Sequence, residues 1–182
     1  MLRNTESQYG LVSIVLHWLV AVCIVGLFAL GLWMVELSYY HPWYYGSTET
    51  HKSVGMLLGG VLVIRLLWRL GNRRPAFEPN LAQWERLAAL SAHWVMYLLM
   101  FGVVVSGYLI LTANGDPVSV FGWFEVPAFT LGLERQEDLA GQIHYWGAWA
   151  LIGVASLHTL AALKHHFLER DRTLVKMLRP GP

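Results

Sequence analysis

The chain has 182 residues, 55% of them hydrophobic and 14% charged, with a formal net charge of +1. That balance, spread over several long apolar runs, predicts one all-α bundle embedded in membrane lipid rather than several domains. No nucleic acid is expected as a partner, and the one cysteine, Cys23, excludes an intramolecular disulfide.

Residues 1–9 are polar, include Arg3 and lack the cleavage-site pattern of a secretory signal. The first apolar run, 11–35, carries no charge and is long enough to cross about 30 Å of hydrocarbon with some tilt. His17 lies six residues inside it, directly before Trp18. Residues 36–50 read as a loop: Tyr39, Tyr40, Trp43, Tyr44 and Tyr45 suit the membrane–water interface, Pro42 and Gly46 break a helix, and His41 sits at the surface.

The second run, 51–70, opens on His51 and holds Arg65 and Arg69 in its last part, where long cationic side chains snorkel to the surface. Gly55, Gly59 and Gly60 allow close approach of a neighbouring helix or ring, and Gly55 lies one turn from His51. A polar connector with Pro75, Pro79, Arg73 and Arg74 leads to the third run, 87–113, which carries His93, Gly102, Ser106 and Gly107. Residues 114–138 are apolar in part (VSVFGWFEVPAF) but too short to cross, and read as an interfacial cap. The fourth span, 139–164, continues into Lys164, His165, His166 and a basic tail.

The fourth span carries the chemistry. His144 and His158 are fourteen residues apart, about 21 Å along a helix axis and about 40° short of whole turns. Both imidazoles share one face at two depths, with Gly147, Ala148 and Ala155 beside that face to admit a flat, bulky group. Two histidines at two depths of one membrane helix point to two stacked haems. The chain has no CxxCH motif, so covalent c-type attachment is excluded.

Eleven of the thirteen Lys and Arg residues fall at the N-terminus, the second connector, the tail and the flanking helix ends. The positive-inside rule therefore predicts four spans with both termini in the cytoplasm. Depth then sorts the histidines: His51 and His144 lie near the outer surface, and His17, His93 and His158 in the inner half. A bis-histidine haem needs two imidazoles at one level, so His51 pairs with His144. His158 takes part in the inner site, and geometry leaves His17 and His93 both open as its partner. Arg65, fourteen residues after His51, falls at the inner level and is placed to meet a haem propionate; Lys52 is placed likewise outside. Ligation on both axial faces leaves iron without an open position, and one-electron transfer is the chemistry that remains.

The pattern resembles the bacterial cytochrome b561 family of four-helix di-haem membrane proteins. The matching residues are His17-Trp18, His51-x-Ser53-x-Gly55, Arg65 and Arg69, the two histidines of the fourth helix, Lys164-His165-His166-Phe167 and Asp171-x-Thr173-Leu174. The resemblance implies two non-covalent haem b groups, ligands on the first, second and fourth helices, and hence His17 rather than His93. It implies a multi-pass protein of the bacterial inner membrane, an oxidoreductase of the respiratory chain working between the quinone pool and a small periplasmic partner, with superoxide as a donor and ubiquinone as an acceptor. The alternative is a haem-bearing anchor subunit of a dehydrogenase or hydrogenase. A transporter finds little support, since no inverted repeat is visible. His165 lies about 10 Å beyond His158 on nearly the same face, so a quinone head group is expected there, with His165, Lys164 and Arg69 around it.

Overall fold

The structure, a computed structural model, describes residues 1–180. Four long helices dominate: α1 (Leu11–Met34), α2 (Tyr44–Gly71), α3 (Gln83–Leu111) and α4 (Gln136–Phe167). Between α3 and α4 a hairpin pairs β1 (Val118–Val120) with β2 (Phe124–Val126), and the tail forms one short turn, α5 (Val175–Leu178).

All four long helices have the length and hydropathy of membrane spans, and only 6% to 17% of each apolar window is buried inside the protein. The rest of that apolar surface, Val22, Leu67, Leu98 and Leu157 among it, faces lipid. The chain is a multi-pass membrane protein.

The spans begin and end where local chemistry dictates. α2 starts at Tyr44, seven residues before the apolar run, so Gly46 is a helical residue and not a breaker. The imidazole Nδ1 of His41 accepts the Trp43 N–H at 3.2 Å, and the Thr48 and Thr50 hydroxyls donate to carbonyls one turn back; this polar first turn carries α2 out of the hydrocarbon. Glu85 accepts the Ala82 N–H at 3.0 Å, half of a capping box at the start of α3. α4 has Glu137 and Asp138 in its first turn and Lys164, His165 and His166 in its last, each sign complementing the helix dipole.

Packing follows the chain: α1 lies on α2, α2 on α3, and most closely α3 on α4. Gly59 admits Val104 and Gly147 admits Val103, each at a distance a side chain would close. The core joins Val20, Leu58, Leu62, Tyr97, Met100 and Leu151. By contrast, α4 makes hardly any backbone approach to α1 or α2. A seam runs down the bundle between the α1–α2 pair and α4.

The N-terminal segment and the described tail lie at one end, tied to the α2–α3 connector. The Asn4 amide donates to the Arg73 carbonyl at 2.9 Å, and the Glu6 carbonyl accepts the Ala76 N–H at 2.7 Å. Lys176 meets Glu78 at 2.6 Å, and the Trp18 indole N–H donates to the Met177 carbonyl at 2.8 Å. At the other end the hairpin buries Val118 and Val120 against α2. Its turn holds Phe121 and Gly122 at φ 51° and 70°. Glycine adopts that region freely; Phe121 does so under strain, and its N–H is held by the buried Ser53 hydroxyl at 3.0 Å.

Candidate haem-binding site

Two pairs of imidazoles face each other across the seam. His51 of α2 and His144 of α4 have ring centroids 6.1 Å apart with planes at 70°. His17 of α1 and His158 of α4 are 6.4 Å apart at 66°. Each pair sits at one depth, fourteen residues of α4 separating the two. Their helices are held apart at the backbone, yet their rings meet in the gap.

The outer pair is built on glycine. A Cβ at Gly31 of α1 would lie 3.2 Å from His51 Cε1, and one at Gly107 of α3 would lie 3.0 Å from His144 Cε1 and 3.1 Å from its Nδ1. Each ring thus rests its Nδ1–Cε1 edge on a neighbouring helix backbone. His144 Nδ1 is 2.9 Å from the Val103 carbonyl, so it carries the proton and donates, and Nε2 keeps its lone pair. His51 Nδ1 is buried without a hydrogen-bond partner. Gly55, expected beside His51, has open space at its Cβ position, and Gly147 serves α3 rather than the histidine face. Lys52 pairs with Glu49, which also accepts the Ser53 hydroxyl at 3.0 Å.

The inner level holds three imidazoles. His93 lies 5.2 Å from His158, ring centre to ring centre, and its Nδ1 donates to the Ala89 carbonyl at 2.5 Å in its own helix. His17 Nδ1 instead receives an Arg65 guanidinium N–H at 2.9 Å. Arg65 therefore reaches the inner level, as its spacing predicts. Arg69 stands over the Trp94 and Tyr97 rings, with Cζ 5.7 and 5.4 Å from their centres.

His165 and Lys164 are brought together at the terminal end, within a cluster of carboxylates. His165 is buried, and its Nδ1 faces Asp171 at 2.8 Å and Glu169 at 2.5 Å. Lys164 bridges Glu85 at 2.9 Å and Glu169 at 2.6 Å. Burial works against the charge on Asp171, but the Thr173 N–H at 2.8 Å, the Thr173 hydroxyl and His165 together hold its carboxyl below the usual carboxylate range. Arg69 is not part of this cluster: Trp94 is nine residues along α3 from Glu85, roughly 13 Å.

The sequence matches the model of the family described as prokaryotic cytochrome b561 over residues 8–180. It is 50% identical to cytochrome b561 homolog 2 of Escherichia coli K12 over 175 residues, 96% of this chain and 93% of that protein. The chain belongs to the prokaryotic cytochrome b561 family. More distant similarity links this cytochrome to the probable superoxide oxidase CybB of Yersinia pestis, 28% identical over 95% of this chain and 97% of that one. Cytochrome b561 homolog 1 of E. coli is 26% identical over 94% and 97%.

Membership makes the chain a b-type haem cytochrome of a bacterial membrane, an electron-transfer protein. The donor set fits that group. Two imidazoles sharing one iron, each at about 2 Å, have ring centroids roughly 6 Å apart, and both cross-seam pairs have that separation. In the outer pair His144 fits with its hydrogen bond as it stands, while His51 carries its Nδ1 unpaired beside Gly31. The inner pair fits once the Arg65 guanidinium turns from His17 Nδ1, since a neutral imidazole that ligates through Nε2 carries its proton on Nδ1.

Proposed function

We propose that this cytochrome holds two non-covalent b haems, one between His51 and His144 and one between His17 and His158, and moves single electrons between them across the bacterial inner membrane. The observation that carries this reading is the pair of imidazole couples at two depths of one seam. When bound, each haem supplies a one-electron couple at an iron with no free coordination position.

The chain's own residues hold and tune these groups. Val103 fixes the His144 tautomer through its carbonyl, which also makes Nε2 the stronger donor. Gly31 and Gly107 supply the room in which the outer rings stand. Arg65, turning from His17, meets an inner propionate, and Lys52 with its Glu49 partner marks the outer edge. The positive charge at the terminal end supports a cytoplasmic location for both termini.

At that end the same reading places a quinone head group beside His165 and Lys164, with a His165 N–H as donor to its carbonyl and Asp171 holding the imidazole ring. The probable superoxide oxidase among the relatives supports superoxide as an outer donor, and the quinone pool as inner acceptor goes with the proposed head-group site at His165. A reduced-minus-oxidised spectrum with a haem count tests the core of the proposal. Two extractable haems per chain are expected; one haem per chain, or haem left on the polypeptide after acid–acetone extraction, refutes it.

A further inference from the structure

Two guanidiniums lie at the inner level and a third acts on one of them from the connector, with no carboxylate beside them. Arg65 and Arg69, one turn apart on α2, both lie against the buried Tyr97 ring, their Cζ atoms 5.5 and 5.4 Å from its centre. Arg74, in the connector, is close enough to Tyr9 and to Arg69 to act on both electrostatically. Of the other cations at this end, Arg73 is paired with Glu6, Lys164 with Glu85 and Glu169, and Lys176 with Glu78, whereas Arg3, Arg86, Arg170, Arg172 and Arg179 have no carboxylate partner among the described residues but do not lie against the Tyr97 ring. Among the described residues no Asp or Glu comes within ion-pair distance of Arg65, Arg69 or Arg74.

The internal candidate for a counter-charge does not supply one. The Tyr9 phenol lies near the same three guanidiniums, but burial pushes its ionisation above the usual value despite them. It remains a neutral hydrogen-bond donor. Cation–π contact with Tyr97 and Trp94 attracts the guanidiniums but leaves their charge unneutralised. Like charges gathered in a low-dielectric setting need an anion.

The position says which anion. Tyr97 is one turn along α3 from His93, whose ring contacts that of His158. The Arg65 and Arg69 guanidiniums are therefore level with the inner histidines and not with the carboxylate cluster around His165, and Arg74 adds its charge from the connector. We propose that Arg69, with Arg65 and Arg74, seats the two propionate carboxylates of the inner haem, Tyr97 spacing the two α2 guanidiniums. The inference rests on the two-haem reading and adds to it a site that sets one potential. Oxidation of a haem adds positive charge, which nearby guanidiniums oppose, so the inner midpoint is lifted. The outer level has no matching excess, because Lys52 is already neutralised by Glu49. Electron passage from the outer to the inner haem is favoured.

The test is Arg69→Gln in the purified full chain, read by potentiometric titration and by the resonance Raman bending mode of the propionates. The expected result is two retained haems and a lower inner midpoint, the ratio of reduced to oxidised inner haem falling about tenfold at fixed poise, or 59 mV. The inner propionate mode moves and the outer haem is unchanged. With haem dimethyl ester the Raman difference between wild type and variant should vanish, while the midpoint difference, a through-space effect of the guanidinium charge, remains. An unmoved midpoint and Raman mode in the haem-loaded variant overturns the proposal. So does a shift that follows exchange of phosphatidylglycerol for phosphatidylcholine vesicles, which would assign the seat to lipid phosphate. If Arg69→Gln loads no inner haem, rescue by Arg69→Lys supports the seat; failure of both variants to hold either haem shows a packing role and overturns it. A wild-type chain with fewer than two haems would fail the two-haem reading itself.

Discussion

Gly107→Ala should damage the outer haem and leave the inner one alone. The added Cβ would stand 3.0 Å from His144 Cε1 and 3.1 Å from Nδ1. Carbon contacts are comfortable at about 3.5–4.0 Å, so the ring must retreat by roughly 0.5 Å. It has little freedom, since Nδ1 is tied to the Val103 carbonyl at 2.9 Å and Nε2 to iron in the proposed site. A retreat of that size takes the hydrogen bond to about 3.4 Å, beyond the usual range. Losing it costs about 1 kcal/mol, or about fivefold in outer haem affinity. A His144 without its acceptor is also a weaker electron donor to ferric iron, so the haem that remains should have a raised midpoint. The assay is a haem count against free haem concentration, with a redox titration of both components. Gly102→Ala is the control, for its Cβ position meets nothing within 4 Å. Wild-type outer occupancy and midpoint in Gly107→Ala would refute the claim that this glycine seats the ligand.

His144→Ala should abolish the outer haem and keep the inner one, His158→Ala should do the reverse, and His93→Ala should keep both; spectra of the three variants check this, and two haems in His17→Ala with one in His93→Ala would reassign the inner ligand. His165→Leu should keep both haems while slowing quinone-dependent reoxidation at least about tenfold in stopped flow, a loss of about one hydrogen bond to a partner; unchanged kinetics across a quinone titration would return the cluster to a purely structural role. Ser53→Ala should leave the Phe121 N–H unpaired, at about 1–3 kcal/mol, and hydrogen exchange at that amide should accelerate; full protection would show that the hairpin holds without it. The depressed Asp171 carboxyl stabilises the docked tail above the ordinary Asp value of about 3.9, and that contribution fades as pH falls through the lower folded value; limited proteolysis of the tail should follow that acid window in wild type and be insensitive to it in Asp171→Asn.

The placement of the candidate histidines was legible because helices convert spacing into position. Fourteen residues between His144 and His158 fixed two depths, and charge asymmetry placed both termini at one end. What spacing cannot convey is which backbone a ring leans on. Gly55 is His51's neighbour on one helix face, yet the glycine that receives the ring is Gly31, from another helix. The Val103 carbonyl that orients His144 has no sequence signature, because every residue carries a carbonyl. The start of α2 was misplaced because hydropathy marks where a helix enters lipid, while the Thr and Ser side chains that extend it are polar. The carboxylates around His165 were missed for a related reason: Glu85, Glu169 and Asp171 meet because the tail folds back beneath the bundle. Arg69, expected at the surface with His165, is drawn inward by Trp94 and Tyr97.

The seam between α4 and the first two helices has a consequence for the life of the protein in the cell. The α1–α2 and α3–α4 hairpins can each form during insertion, joined mainly through α2 and α3. The proposed irons would then be the staples that close the circuit, α1 to α4 and α2 to α4. Abundance would depend on haem supply as much as on synthesis, for a half-stapled bundle leaves α1 and α4 open to membrane proteases. In haem-starved cells this cytochrome should disappear faster than it is diluted by growth, and a histidine variant that cannot be stapled should turn over quickly even when haem is plentiful.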